Sequence, residues 1–403
     1  MMSTIDPEIQ LTRELEQLLS EGTSSARARE QTAFDDLAGT FARDLVLFGA
    51  GNLGRRTLSK LREQGIEPLA FVDNNSARWG TAIDGVEVMS PTEGAARYGT
   101  RAVFVITVWG ALGADRMKTR VDQLSRLGCL RVCSFVPLYW KYSEAMLPHY
   151  SVDLPHRIFQ QSDQVRRGFQ VWADTASRRE YLAQLRWRLT MDFDCLPEPV
   201  SHPIYFPTDL CTLREDEVFV DCGAYDGDTI RLFLGQSQSA FDRLIAFEPD
   251  AANFKILKKS IAGLSPDLRQ RIQLRHAATS SENGRVRISE GNGVASCIGS
   301  GECEVDAVTL DTELSGLRTT YLKMDIEGAE AASLNGGAEL IRRQTPVLAI
   351  SAYHRQDDIW NLPLLIQSIN PNYSFFLRPH LLEGFDLVCY AIPNERLLCN
   401  GCP

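Results

Sequence analysis

The stretch Val218-Phe219-Val220-Asp221-Cys222-Gly223-Ala224-Tyr225-Asp226-Gly227-Asp228-Thr229 reads VFVDCGAYDGDT. Val218, Phe219 and Val220 are β-formers in a short run bounded by polar residues, which predicts a buried strand. Gly223 and Gly227 permit a tight turn with close backbone approach, and a helical pattern begins at Thr229. Strand, glycine turn and helix make the first half of a nucleotide-binding βαβ unit. A phosphate at such a turn favours backbone N–H groups with Lys or Arg nearby. This rim instead carries Asp221, Asp226 and Asp228, which repel a pyrophosphate.

The acids suit a ligand with a cationic amino group and ribose hydroxyls. S-adenosylmethionine has a sulfonium, an α-amino group and a ribose, and no phosphate. Taken alone, the turn is equally an ordinary strand-to-helix junction of an α/β sheet. The following segments add weight. Leu244–Phe247 is a second buried-type strand ending at Glu248, 27 residues past Asp221. An acid at that offset can accept both ribose hydroxyls. Pro249 ends the strand and Asp250 can cap the helix from Ala251. A third run, Ile272–Ala278, precedes Thr279. A fourth, Tyr321–Met324, ends at Asp325 and runs into Ile326-Glu327-Gly328-Ala329-Glu330. A fifth, Pro346–Tyr353, ends at His354. Strands alternate with helical patterns and carry polar residues at their C-terminal ends, where open parallel sheets bind ligands.

The segments DCGAYDGDT, AFEPD, VDAVTLDTEL, LKMDIEGAE and ISAYHRQDDIW, in this order, resemble the FkbM family of S-adenosylmethionine-dependent methyltransferases. The resemblance covers roughly Pro203 to Pro393. It implies the class I methyltransferase fold, an α/β seven-stranded, mostly parallel sheet with a reversed final strand. Tyr373–Leu377 and Leu387–Ile392 are the candidates for the last antiparallel pair. It also implies that Asp221, Gly223, Ala224, Tyr225, Gly227 and Asp325 contact S-adenosylmethionine, the methionine end lying on the glycine turn, and that Glu248 holds the ribose. One departure stands out. Many class I enzymes place an acid after the third strand for the adenine amino group, whereas this chain has His276-Ala277-Ala278-Thr279. Backbone groups, a hydroxyl or stacking must then hold the adenine.

Methyl transfer asks the protein to align a nucleophile with an already activated methyl group, exclude water and take up a proton. A sugar or other alcohol hydroxyl is a poor nucleophile until its proton is partly removed. Asp325, Glu327 and His354, near strand ends, are the candidate catalytic residues. His354 serves equally as a satisfied polar residue at a strand end. Glu330 shares a helix face with Glu327 and reads as a solvated helix residue. A carboxylate–histidine cluster can also hold a divalent cation that polarises a diol. The spacing here does not specify one, and no metal is assigned.

A second glycine turn stands in the N-terminal third. Leu45–Phe48 is followed by Gly49-Ala50-Gly51-Asn52-Leu53-Gly54, a GxGxxG, then a helical pattern through Leu61, then a strand ending at Asp73, 19 residues beyond Gly54. This is the dinucleotide fingerprint in context. Strands at Ala102–Thr107 and Leu130–Phe135 complete a small Rossmann-like unit. Its missing second mononucleotide half argues against a dehydrogenase. FGAGNLG, FVDNN and WGTAIDGVEVMSP are similar to the small Rossmann-like domain preceding sugar-modifying enzymes, including sugar-nucleotide acyltransferases. Three readings stay open for Gly49, Gly51, Asn52, Gly54 and Asp73: a nucleotide or nucleotide-sugar site, NAD binding without redox, and a structural remnant.

These readings divide the chain into an N-terminal helical segment (1–41), a Rossmann-like domain (42–149), a helical linker (150–202) and the methyltransferase domain (203–403). In the linker, Tyr181, Leu182, Leu185 and Leu189 recur at helical spacing among Arg178, Arg179, Arg186 and Arg188, which predicts a connecting helix with one buried face. The 403 residues carry a net charge of −10, which argues against a nucleic-acid partner. No apolar run reaches the ~18 residues of a membrane span. The polar start is not a signal peptide and reads as a short amphipathic helix. The ten cysteines are scattered, and the CxxC at Cys399–Cys402 lacks a second pair. The cytoplasm fits these features. The functional expectation is an O-methyltransferase acting on a hydroxyl of a carbohydrate or related small-molecule or glycan acceptor, within polysaccharide or glycolipid biosynthesis. The alternative is a non-catalytic nucleotide- or nucleotide-sugar-binding module on a methyltransferase-like fold. The sequence sets no oligomeric state.

Overall fold

The computed structural model describes residues 7–110, 116–288 and 303–398. Two sheets form. The first runs in the order Ala82–Ile83, Val86–Met89, Ala70–Val72, Leu45–Phe48, Val103–Ile106, Val132–Ser134. Its pairs are parallel except for the hairpin Ala82–Ile83/Val86–Met89. Leu45–Phe48 is central because LVLF is apolar on both faces and is buried on both. The strand order reverses there, so the sheet's crevice opens beside the turn at Gly49.

The second sheet runs Tyr373–Pro379, Leu387–Pro393, Val347–Ser351, Tyr321–Met324, Val218–Cys222, Arg243–Phe247, Ile272–Arg275. Leu387–Pro393 is antiparallel to both neighbours and the other pairs are parallel. Its switch point lies between Val218–Cys222 and Tyr321–Met324, which puts Gly223 and Asp325 at one crevice. The expected third strand is split. Ile272–Arg275 stays in the sheet, while Ala278–Thr279 joins a separate three-stranded sheet with Cys303–Val308 and Gly284–Ile288. Asp250 caps the helix Ala251–Ala262, accepting from the N–H groups of Ala252 and Asn253.

Helices tie the two units together. Pro7–Leu18 places Leu11 and Leu15 in the core of the second unit, whereas Gly22–Ala38 places Phe34 and Ala38 in the core of the first. Thr175–Thr190 is buried on more than the one expected face. Tyr181, Leu182, Leu185 and Leu189 enter the second core, and Trp187 enters the first. Two of its arginines pair with acids of the first helix. Arg178 pairs with Glu8 and Arg186 with Glu14, both at 2.5 Å, and buried Arg188 bonds to Gln184.

The first unit also docks onto the segment joining the last two strands of the second sheet. Trp109 Nε1 donates to the Glu383 carbonyl at 3.0 Å, and Gly110 N donates to Glu383 Oε2 at 3.2 Å. No helix among the described residues is long and apolar enough to cross a membrane. The seven described cysteines are free, and the Cys399–Cys402 pair lies outside the described residues.

Candidate active site

A cleft of about 760 Å³, open mouth included, lies at the second sheet's switch point. Gly223, Tyr225 and Asp228 line one side, Glu248 and Asn253 another, and Lys323, Asp325 and Glu327 the third. Gly223 has φ 84°, and a Cβ there would sit 1.9 Å from the Asp325 carbonyl oxygen. It is required because two strand ends converge, rather than to clear space for a ligand.

Not every expected contact faces the cleft. Asp221 is fully buried beneath it, with Lys323 Nζ 2.9 Å from its Oδ1. Burial pushes the Asp221 carboxyl up, to about 6, against the pull of Lys323. Lys323 also donates to the Gly223 carbonyl at 2.7 Å, so this pair braces the turn from below. Ala224 is fully buried and donates its N–H to the Phe247 carbonyl. A Cβ on Gly227 would meet Leu257, which turns that residue toward the helix packing. Asp226 pairs with Arg231 at 2.8 Å.

Glu248 does face the cleft. One carboxylate oxygen accepts from Tyr225 N at 2.8 Å and the other from Asp250 N at 2.9 Å. Burial pushes the carboxyl up to about 7. The Asn253 side chain also bonds to this carboxylate, which keeps acceptor capacity for a ribose hydroxyl. At the adenine end, Ala277, Ala278 and Thr279 form the wall. His276 turns away and stacks on Phe254 with ring centroids 4.7 Å apart.

The candidate catalytic residues come together at the other end. Asp325, its side chain 26% exposed, accepts from Tyr205 Oη at 2.8 Å and lies 3.3 Å from His354 Nε2. Burial works against its charge, but His354 and Lys323 outweigh it and hold the carboxyl below the usual range. Glu327 lies 3.9 Å from His354 Nε2, and burial pushes it up to about 7. Glu330 is not a solvated residue. It is 1% exposed, and its Oε1 accepts from His354 Nδ1 at 2.8 Å and from Ile326 N at 2.9 Å. Burial opposes a charge on His354, yet Glu330, Asp325 and Glu327 together hold the imidazole protonated, up to about 10. His354 is therefore a cationic hydrogen-bond donor rather than a base.

Asp325, Glu330 and His354 place one ligand atom each within 4.8 Å of one another, a spacing a cation accepts. To hold one, the imidazole must give up its proton and the Glu330–His354 bond must open.

At the first sheet, Gly49 and Gly54 serve packing. A Cβ on Gly49 would lie 2.3 Å from Val108 Cγ2, and one on Gly54 would lie 2.0 Å from the Gly49 carbonyl oxygen. Gly51 faces open space, with only Arg78 Nη1 at 4.0 Å. Exposed Asn52 begins the helix Asn52–Glu63. Asp73 is occupied: Oδ2 takes Ala50 N at 2.8 Å and Arg78 at 3.1 Å, and Oδ1 takes Asn75 N at 2.8 Å.

Sequence reasoning missed Tyr205, Lys323 and Glu330. Tyr205 lies before the first catalytic strand, where no motif marks it. Lys323 stood within LKMD, and a lysine inside an apolar strand already required a buried counter-charge.

A search of curated proteins returns no match. Residues 221–380 match the methyltransferase FkbM domain model. The solved structure of methyltransferase FkbM from Methylobacillus flagellatus KT superposes with a TM-score of 0.77 at 24% identity, covering 96% of this chain and 100% of that one. The likeness of fold thus includes the N-terminal unit. An rRNA methylase from Streptococcus thermophilus aligns with a TM-score of 0.26 at 14% identity, over 45% of this chain and 90% of its own. RSP, a Rex-family repressor, aligns at 0.20 and 24% identity, over 26% of this chain and 50% of its own. At those scores neither bears on fold or function. From residue 221 to residue 380, the chain matches the methyltransferase domain of the FkbM family.

Proposed function

We propose that the protein transfers a methyl group from S-adenosylmethionine to a hydroxyl of a carbohydrate or glycan acceptor, in the cytoplasm. One observation carries the reading. At one end of the donor cleft, Glu327 sits near 7 beside an ionised Asp325 and a protonated His354. A carboxylate that titrates near the working pH is the efficient proton acceptor. In the step, a hydroxyl oxygen attacks the methyl carbon, the C–S bond breaks, sulfur takes the electron pair, and the proton passes to Glu327. S-adenosylhomocysteine and Glu327–H result. Asp325 fixes the acceptor by a hydrogen bond, and His354 beneath it steadies Asp325. Glu248 takes the ribose hydroxyls, and Gly223 and Tyr225 shape the turn against the methionine end.

For the N-terminal unit we propose a nucleotide or nucleotide-sugar site at Gly51, Asn52 and Arg78. The open space at Gly51 and a guanidinium beside the turn support phosphate contact. The occupied Asp73 speaks against a ribose contact by that acid, and so against the dinucleotide mode of binding. The test is transfer of radiolabelled methyl from S-adenosylmethionine to free and nucleotide-linked sugars. Absence of labelled sugar across both sets, with S-adenosylhomocysteine bound, favours a non-catalytic module.

A further inference from the structure

We infer that the seam between the two α/β units is a subsite for a neutral sugar ring, which it presents to the carboxylates of the donor cleft. The inference deepens the methyl-transfer reading and rests on it.

The seam is aromatic and is built from both units. Trp109, at the C-terminal end of Val103–Ile106, packs on the first core, while Tyr150 and Phe385 pack on the second. All three are only partly buried. Trp109 and Phe385 lie 4.6 Å apart, Tyr150 and Phe385 5.8 Å apart, and Trp109 meets Tyr150 edge-on at 6.0 Å. Tyr150 then reaches His354 at 6.3 Å. The rings therefore run without interruption from the first sheet to the candidate catalytic cluster. Trp109 is fixed in place by its bond to the Glu383 carbonyl.

Polar groups stand around the rings. Asp386 follows Phe385 and interacts with Asp325, His354 and Tyr353. His149 lies 5.2 Å from Tyr150 and 5.6 Å from Trp109. Burial keeps that imidazole neutral, pushed down to about 3, so it can both donate and accept. A pyranose has an apolar C–H face and a rim of hydroxyls. Ring faces take the first, and carboxylates with a neutral imidazole take the second.

The cations near this point are already engaged: His354 pairs with Glu330, and Arg56, which acts on His149, donates to the Met146 carbonyl. Arg120 is committed to the Val108 and Gly110 carbonyls and to Glu383, and Lys323 to Asp221. Asp325 and Glu327 line the donor cleft, and Asp386 acts on Asp325. A phosphate or carboxylate on the reacting ring meets carboxylates there, whereas a neutral hydroxylated ring does not.

The test uses the full chain with S-adenosylhomocysteine bound and a panel of neutral methyl hexopyranosides and 6-deoxyhexopyranosides. Saturation-transfer NMR is expected to show transfer to ring C–H protons. Tyr150→Ala and Phe385→Ala are expected to cut that transfer by about fivefold or more, the scale of a lost ring contact, with S-adenosylhomocysteine affinity unchanged by calorimetry. Tyr150→Leu, which keeps apolar volume and removes the ring, is expected to do the same and covers an alanine variant that fails to fold. No transfer to any glycoside overturns the subsite. So does unchanged transfer or methylation in Tyr150→Leu, and in that case the methyl-transfer reading survives. Failure of the wild-type chain to bind S-adenosylhomocysteine removes both.

Discussion

Glu330 and His354 share a 2.8 Å hydrogen bond between two side chains that are each 1% exposed. The bond holds a buried cation beneath Asp325. Its pH signature follows from the shift. His354 rises from the ordinary 6.5 to about 10, so its contribution to stability is complete below about 6.5 and is lost as pH climbs through about 10. Glu330→Gln is expected to flatten the fall in denaturant midpoint between those limits and to lower turnover. A midpoint curve identical to wild type across that range counts against the ion pair.

Glu327 is expected to set the alkaline rise of kcat/KM. Its carboxyl must be ionised to accept a proton, so activity grows with pH around a midpoint near 7. Glu327→Gln should lower turnover about a hundredfold or more and erase that limb. Asp325→Asn should cost turnover on a similar scale, since it removes the acid facing both His354 and Lys323. A profile that keeps its midpoint in Glu327→Gln assigns the base elsewhere.

Glu248 is expected to make donor affinity pH-dependent. Burial raises its folded value from 4.5 to about 7, so the charge that ribose hydroxyls want is lost on acidification through 7. Glu248→Gln should weaken S-adenosylhomocysteine by about 1.5–3 kcal/mol at alkaline pH and flatten the dependence. Calorimetry at several pH values reads both effects.

The two glycine turns are expected to respond oppositely to a methyl group. Gly223→Ala drives a Cβ into the Asp325 carbonyl and should lower the melting temperature sharply. Gly51→Ala meets only open space and should melt like wild type, while weakening any nucleotide that stabilises the chain. A thermal-shift series with nucleotides and nucleotide sugars measures both.

Chelation is expected to leave activity unchanged, because Glu330 already engages His354 Nδ1 at 2.8 Å. Activity that vanishes with chelator and returns with a divalent ion would turn these carboxylates into ligands.

The strand ends carrying Gly223, Glu248, Asp325 and His354 were legible in the sequence, because each apolar run stops at a polar residue. The direction of each side chain was not. Asp221 and Asp325 both end apolar runs, yet the first is sealed against Lys323 and the second opens to the cleft. Position along a strand does not reveal which acid has a buried partner across the sheet. Glu330 was misread for a related reason. Helical spacing pairs it with Glu327, but the histidine that buries it lies 24 residues later in sequence. Likewise Arg178 and Arg186 found counter-charges in the first helix, some 170 residues away.

The helix Thr175–Thr190 and the leucines of Pro7–Leu18 share one core with Leu348 and Ile350 of the catalytic sheet. The methyltransferase half is thus not a cassette that can be cut out at Pro203. Such a fragment would present to water the surface that Leu15, Tyr181 and Leu185 now cover, and self-association is the expected outcome. Any inheritance, fusion or excision of the catalytic half must carry these distant helices with it.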